Sequence, residues 1–120
     1  MKTITVYGIP NCDVTQKALG WFEEEKIKVI FYDYKISRIQ KQKLSGWCKK
    51  INWKILLNKR SSTWRALSAA KQAEIQNQDV AINLMMEHAS IIKRPIVEYG
   101  DQLLIGLNEQ EYKRTFSLIF

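Results

Sequence analysis

The sequence predicts an α/β fold, a mixed four-stranded sheet covered by helices, and three observations carry that expectation. The β-branched and aromatic run Thr3-Ile4-Thr5-Val6-Tyr7 is followed by a helical pattern and then by a second strand-like run, 28–34. Between about 38 and 90 the apolar residues are mostly spaced as in helices. After Ile91 the chain returns to two short apolar runs joined by the turn Tyr99-Gly100-Asp101-Gln102, and it closes on another helical stretch. The order is βαβ, several helices, ββα. A strand, helix and strand in succession make a right-handed unit with parallel strands, and the later hairpin adds an antiparallel pair.

Taken in order, the first strand runs to Tyr7 and is broken by Gly8 and Pro10. Asn11 is a good N-cap, Asp13 suits a first helical turn, and Val14, Ala18 and Phe22 recur every four residues as one apolar face. That helix ends near Glu25-Lys26. Ser37 with Gln40 reads as a capping box, before a face of Ile39, Leu44, Trp47 and Cys48. From Asn52 to Leu67 the period is lost, and a polar loop carrying Asn58, Lys59, Arg60 and Thr63 leads to Trp64. Ser68 opens a short helix, and Asp79 caps another whose Ile82, Met85, Met86 and Ala89 face inward. The strands 96–98 and 103–105 form the hairpin, and Asn108 with Glu111 caps the last helix, burying Tyr112, Phe116 and Ile119.

Composition narrows the function. A chain of 120 residues without repeats or a Pro/Gly/Ser-rich linker is expected to be a single domain, with its helical insertion at about 38–90. No apolar run approaches the roughly 18 residues of a membrane span, and Met1-Lys2 leads straight into a strand rather than a secretory leader, so a cytoplasmic monomer is expected. Two cysteines, Cys12 and Cys48, are too few for a disulfide framework, and a single histidine, His88, makes a zinc site improbable. His88 fits a favourable contact at a helix C-terminus instead. The net charge of +7 concentrates in a quarter of the chain, from Lys35 through Arg38, Lys49 and Lys54 to Arg60. No base-reading motif accompanies it. The cluster reads as a solvated helix face, with no specific nucleic acid and only weak, salt-sensitive binding expected.

The chemistry gathers at Cys12, between a strand end and a helix start. Unpaired N–H groups of a first helical turn, with the helix dipole, stabilise a negative charge placed there. Cysteines in such positions have lowered pKa values, and the thiolate is the form that attacks disulfides and electrophiles. Asp13 works against this by adding negative charge nearby. Cys48, inside a helix, lacks that field and suits packing.

Four segments in order carry a family resemblance: Tyr7-Gly8-Ile9-Pro10-Asn11-Cys12-Asp13, the run from Leu56 to Arg65, Ile92-Lys93-Arg94-Pro95-Ile96, and Leu104-Ile105-Gly106-Leu107. Over essentially its whole length the chain resembles the arsenate reductase and Spx family, most closely its YffB-like branch. The resemblance implies a thioredoxin-like fold in which Cys12 is the reactive cysteine and Pro95 a cis-proline beside it. It also implies a substrate site formed by Asn11, Arg60, Arg94 and Pro95, with the two arginines as anion clamps. In arsenate reductases of the family a third arginine directly follows the late glycine; here Leu107 follows Gly106. The Spx-like branch binds RNA polymerase, and many members sense oxidation through Cys-x-x-Cys, but the second position here is Thr15.

The expectation is therefore a glutathione-dependent thiol–disulfide reductase with Cys12 as nucleophile. No bound cofactor or metal is expected; glutathione is the expected co-substrate, with a glutaredoxin as a candidate electron-transfer partner. The alternatives are a Spx-type regulator that binds an RNA polymerase subunit, and a true arsenate reductase.

Overall fold

The computed structural model describes residues 2–116, so Ile119 lies outside the described residues. The chain forms two compact units, one comprising the chain up to Asp33 together with Arg94 onward, the other Tyr34–Lys93.

The first unit is a mixed sheet. Its strands are β1 (Ile4–Gly8), β2 (Ile30–Asp33), β3 (Ile96–Tyr99) and β4 (Gln102–Ile105), in spatial order β2-β1-β3-β4. β1 and β2 run parallel, while β1–β3 and β3–β4 are antiparallel, giving the expected thioredoxin-like arrangement. Gly8 does not break the first strand; it ends it, opposite Asp33. β2 is shorter than its apolar run at both ends, starting at Ile30 and ending at Asp33.

Strand alternation sets the two faces of the sheet. Ile4, Val6, Val97 and Leu104 turn to a core filled by Ala18, Trp21 and Phe22 of α1 (Asp13–Glu24) and by Tyr112 and Phe116 of α7 (Glu109–Phe116). Phe22 and Tyr112 stack with ring centroids 5.4 Å apart, and Trp21 meets both edge-on. On the other face Tyr7 lies against Tyr32 and donates its hydroxyl to Glu98 Oε1 at 2.9 Å.

The buried face of α1 differs from the expected one. Thr15, Ala18, Trp21 and Phe22 are inside, whereas Val14 is 40% exposed. The helix ends with Lys26 in the left-handed region (φ 59), Lys26 N–H bonded to Glu23 and Ile27 N–H to Phe22, the paired reverse bonds of a Schellman end. Asn108 caps α7 as expected, its Oδ1 accepting from Glu111 N–H at 3.1 Å.

The second unit is helical: α2 (Lys41–Lys50), α3 (Trp53–Leu56), α4 (Ser62–Ala66), α5 (Ala69–Ala73), α6 (Gln78–Glu87) and a 3-10 turn, Ala89–Ile91. α2 and α3 pack on α6. The expected capping box at Ser37 is not formed; α2 starts after Gln40 without a side-chain cap. The expected irregular stretch contains α3 and α4, each too short to show a helical period but each capped, by Asn52 and by Ser61. Asn77, not Asp79, caps α6, since its Oδ1 reaches Val80 N–H at 3.0 Å and leaves Asp79 in the first turn. The α6 residues buried are Ala81, Ile82, Leu84 and Met85, while Met86 is only half-buried and Ala89 lies beyond the helix. His88 is its C-cap residue. The unit closes through a bridge between Leu57 and Ile92, flanked by hydrogen bonds from Asn58 N–H to Ile91 and from Lys93 N–H to Leu56.

Candidate functional site

The loop after β1 turns sharply, with Cys12 N–H donating to Ile9 C=O at 3.1 Å across Pro10 and Asn11. Asn11 therefore sits on the turn, exposed, and does not cap the helix as expected. The N-cap residue is Cys12 itself, extended at φ −97 and ψ 125. An N-cap side chain ordinarily offers an oxygen to the second and third helical N–H groups. Here those N–H groups belong to Val14 and Thr15, and the side chain in the capping position ends in sulfur. The sulfur makes no regular side-chain capping bond. A thiolate there gains the Val14 and Thr15 N–H groups as donors in place of that cap.

That exchange moves the Cys12 pKa. Partial burial pushes the thiol up, but the Thr15 N–H, the Thr15 hydroxyl, the Arg94 guanidinium and the Val14 N–H all favour the thiolate, and the balance lies below the ordinary value. Cys48, on α2, has burial alone acting on it and is pushed up. Both cysteines are free and half-buried.

Thr15 is the residue that the sequence reading missed. It is fully buried, and its hydroxyl has no regular hydrogen-bond partner, which leaves the Cys12 thiolate as the charge that it serves. It reaches this place because Gly8 has no side chain: a Cβ there would stand 2.7 Å from Thr15 Oγ1 and 2.8 Å from its methyl carbon. No sequence signal marks it, because a polar residue on a helix gives no reason to place it inside.

Arg94 comes to Cys12 from the strand side. The Arg94–Pro95 peptide is cis, as the resemblance implied, and Pro95 is buried. Pro95 C=O accepts from Gly106 N–H at 2.8 Å, and Gly106 C=O accepts from Tyr112 Oη at 2.8 Å, so α7 is tied to the segment that carries Arg94. Leu107, after Gly106 at φ +79, packs against the aromatic core. Arg60 belongs to the helical unit, exposed on the turn before α4, where its N–H donates to Asn58 Oδ1 at 3.1 Å. Cys12, Arg94 and Pro95 thus lie in one unit and Arg60 in the other.

Among the described residues no group of three or more His, Cys, Asp or Glu could hold a metal ion, and no helix is long and apolar enough to cross a membrane.

The family model described as "ArsC family" matches residues 7–115. The chain belongs to the ArsC family. An uncharacterised protein of Haemophilus influenzae is 37% identical over 114 residues, covering 95% of this chain and 99% of that protein. Among solved structures, the YFFB (PA3664) protein superimposes with a TM-score of 0.89 at 37% identity, covering 93% of this chain and 97% of that one. A global transcriptional regulator Spx from Streptococcus pneumoniae is 22% identical over 112 residues, 92% of this chain and 83% of that protein.

Proposed function

We propose that this ArsC-family protein is a monothiol reductase that exchanges glutathione through Cys12. The observation that carries the reading is the position of Cys12 as the N-cap residue of α1, before the Val14 and Thr15 amides; burial opposes its thiolate, but those amides, the Thr15 hydroxyl and Arg94 outweigh it. The thiolate attacks the glutathionyl sulfur of a mixed disulfide; the S–S bond breaks, Cys12 becomes glutathionylated, and the substrate leaves as its thiolate. A second glutathione thiolate then attacks the Cys12 adduct, releasing glutathione disulfide and regenerating the Cys12 thiolate. In net terms the mixed disulfide and one glutathione thiolate give the substrate thiolate and glutathione disulfide, the S–S bond being passed on twice with Cys12 unchanged. Thr15 stands where a resolving cysteine would be and has no thiol, so resolution falls to an external thiol. The exposed Val14 and the Arg94 guanidinium beside the sulfur suit an organic anion.

The Spx relative supports a second reading, a regulator that docks on RNA polymerase, although Thr15 removes the two-cysteine switch at that spacing. Arsenate reduction is disfavoured by Leu107, which packs against the core and offers an oxyanion no charge.

The test is the intact mass of the protein after exposure to glutathione disulfide, with Cys12→Ser and Cys48→Ser as controls. One glutathione on Cys12, removed by excess glutathione, is expected. Modification confined to Cys48 would sink the reading.

A further inference from the structure

The basic charge of this protein is divided between its two units in a way that no solvated face requires. Residues 34–93 hold twelve lysines and arginines against three carboxylates, a net of +9, while the rest of the chain holds seven against nine, a net of −2. Between Asp33 and Glu74 there is no acidic residue at all. The three carboxylates of the unit, Glu74, Asp79 and Glu87, fall at the end of α5 and on α6. α2, α3 and α4, with their connections, therefore present cations alone.

Two of these cations serve the fold, Lys54 lying over the Trp53 ring and Lys59 over the Trp64 ring, but the electrostatics of the helix ends do not explain the distribution. Acidic residues in a first helical turn are favoured by the helix dipole, yet α2, α3, α4 and α5 all lack one, and α2 opens on Lys41 and Lys43. Leu44 and Trp47 form the buried face of α2, which leaves Lys41, Lys49 and Lys50 exposed; Lys54, Lys59 and Arg65 are exposed on the following segments. The arrangement places like charges close together at a cost to the unit's own stability.

We propose that α2–α4 form a docking surface for the phosphate backbone of a nucleic acid, bound without sequence preference and independently of the chemistry at Cys12. An acidic protein surface is the weaker fit. Protein surfaces mix both signs, and partners that read them set register with complementary charges of both signs. A phosphate chain offers one sign only, about one charge per 1.7 Å of duplex, and a surface without carboxylates meets no repulsion anywhere along it. Phosphate contacts position a protein but carry no sequence information, which matches the lack of a base-reading element.

The experiment measures fluorescence anisotropy of labelled 20-base-pair duplexes of two unrelated sequences, and of a single strand of that length, across a potassium chloride series. The wild type should bind both duplexes alike, with a log–log salt slope of about −4 to −6, each phosphate contact adding about −0.9. The triple variant Lys41→Glu, Lys49→Glu, Lys50→Glu should bind at least about tenfold more weakly at low salt, with a slope shallower by about 3. A control with the same charge change in the other unit, Lys17→Glu, Lys28→Glu, Lys113→Glu, should lose less than about threefold. Circular dichroism and the alkylation midpoint of Cys12 verify that both variants are folded. Absence of binding at low salt, equal losses in the two variants, or a preference for one duplex would each overturn the proposal. So would polyglutamate that competes as well as duplex at equal charge, since an acidic protein would then be the better partner.

Discussion

The Thr15 hydroxyl occupies space that any side chain at Gly8 would take, with only 2.7 Å from Thr15 Oγ1 to a Cβ built on Gly8. The end of β1 and the first turn of α1 are thereby packed backbone against side chain, and the hydroxyl is held where the Cys12 thiolate can use it. Gly8→Ala is expected to overpack this contact, lowering stability by about 1–3 kcal/mol. It should also raise the pH midpoint for alkylation of Cys12. Adding Thr15→Ala should restore the melting temperature without restoring the midpoint, because the space returns and the hydroxyl does not. Recovery of both in the double variant would show that Thr15 acts by packing alone.

The two cysteines should titrate in opposite senses. Burial pushes Cys12 up, but the Thr15, Arg94 and Val14 hydrogen bonds bring it below the ordinary thiol value, so folding favours its thiolate. Its stabilisation is fully present above the unfolded thiol value of about 8.5 and is lost as pH falls through the lowered folded value. Burial raises Cys48, so folding favours its thiol; that contribution is fully present below the unfolded value of about 8.5 and is lost as pH rises through the raised folded value. Melting curves of Cys12→Ser and Cys48→Ser against pH should therefore diverge from the wild type in different windows. Mass-resolved alkylation should modify Cys12 first as pH rises; the reverse order would contradict the assignment.

Much of the sheet was legible because β-branched runs and the Gly100-Asp101 turn announce strands locally, and the fourfold spacing of Ala18 and Phe22 announces a helix. What escaped depends on competition between neighbours. Asn11 and Asp79 are good capping residues by type, but the turn closed by Cys12 N–H moved the first helix start past Asn11, and Asn77 reached the second start before Asp79. α3 and α4 are four and five residues long, too short for a period. At the candidate site, Cys12 and Arg94 stood out as chemistry-bearing types, whereas Thr15 did not, because its role comes from burial against a glycine seven residues earlier.

Leu107 tests the arsenate alternative. Its side chain packs against the aromatic core of the sheet unit, so an arginine placed there must abandon that contact or bend back from it. Leu107→Arg is expected to cost about 1 kcal/mol, a fall of roughly 4 °C in melting temperature, for a half-buried leucine in a chain of 120 residues. Arsenate turnover should stay weak. A variant that gained tenfold in arsenate affinity without losing stability would show that this position can serve the thiol site.

Arg94 is the charged side chain brought to Cys12 in the sheet unit, and it has two tasks that substitutions can separate. Its hydrogen bond to the sulfur favours the thiolate, and in the proposed function its positive charge would pair with a carboxylate of an incoming glutathione. A hydrogen bond to a charged group contributes about 1.5–3 kcal/mol, roughly ten- to a hundredfold. Arg94→Gln keeps a donor and removes the charge, so it should slow reaction with glutathione disulfide more than reaction with a small neutral disulfide. Arg94→Lys keeps the charge without the planar fork and should recover part of the glutathione rate. Both should raise the alkylation midpoint of Cys12, read by the ultraviolet absorbance of the thiolate as pH rises. If Arg94→Gln shifts the midpoint yet slows the two disulfides equally, the guanidinium acts on the sulfur alone and the substrate's charge must be met by another group, for which Arg60 is the first residue to change.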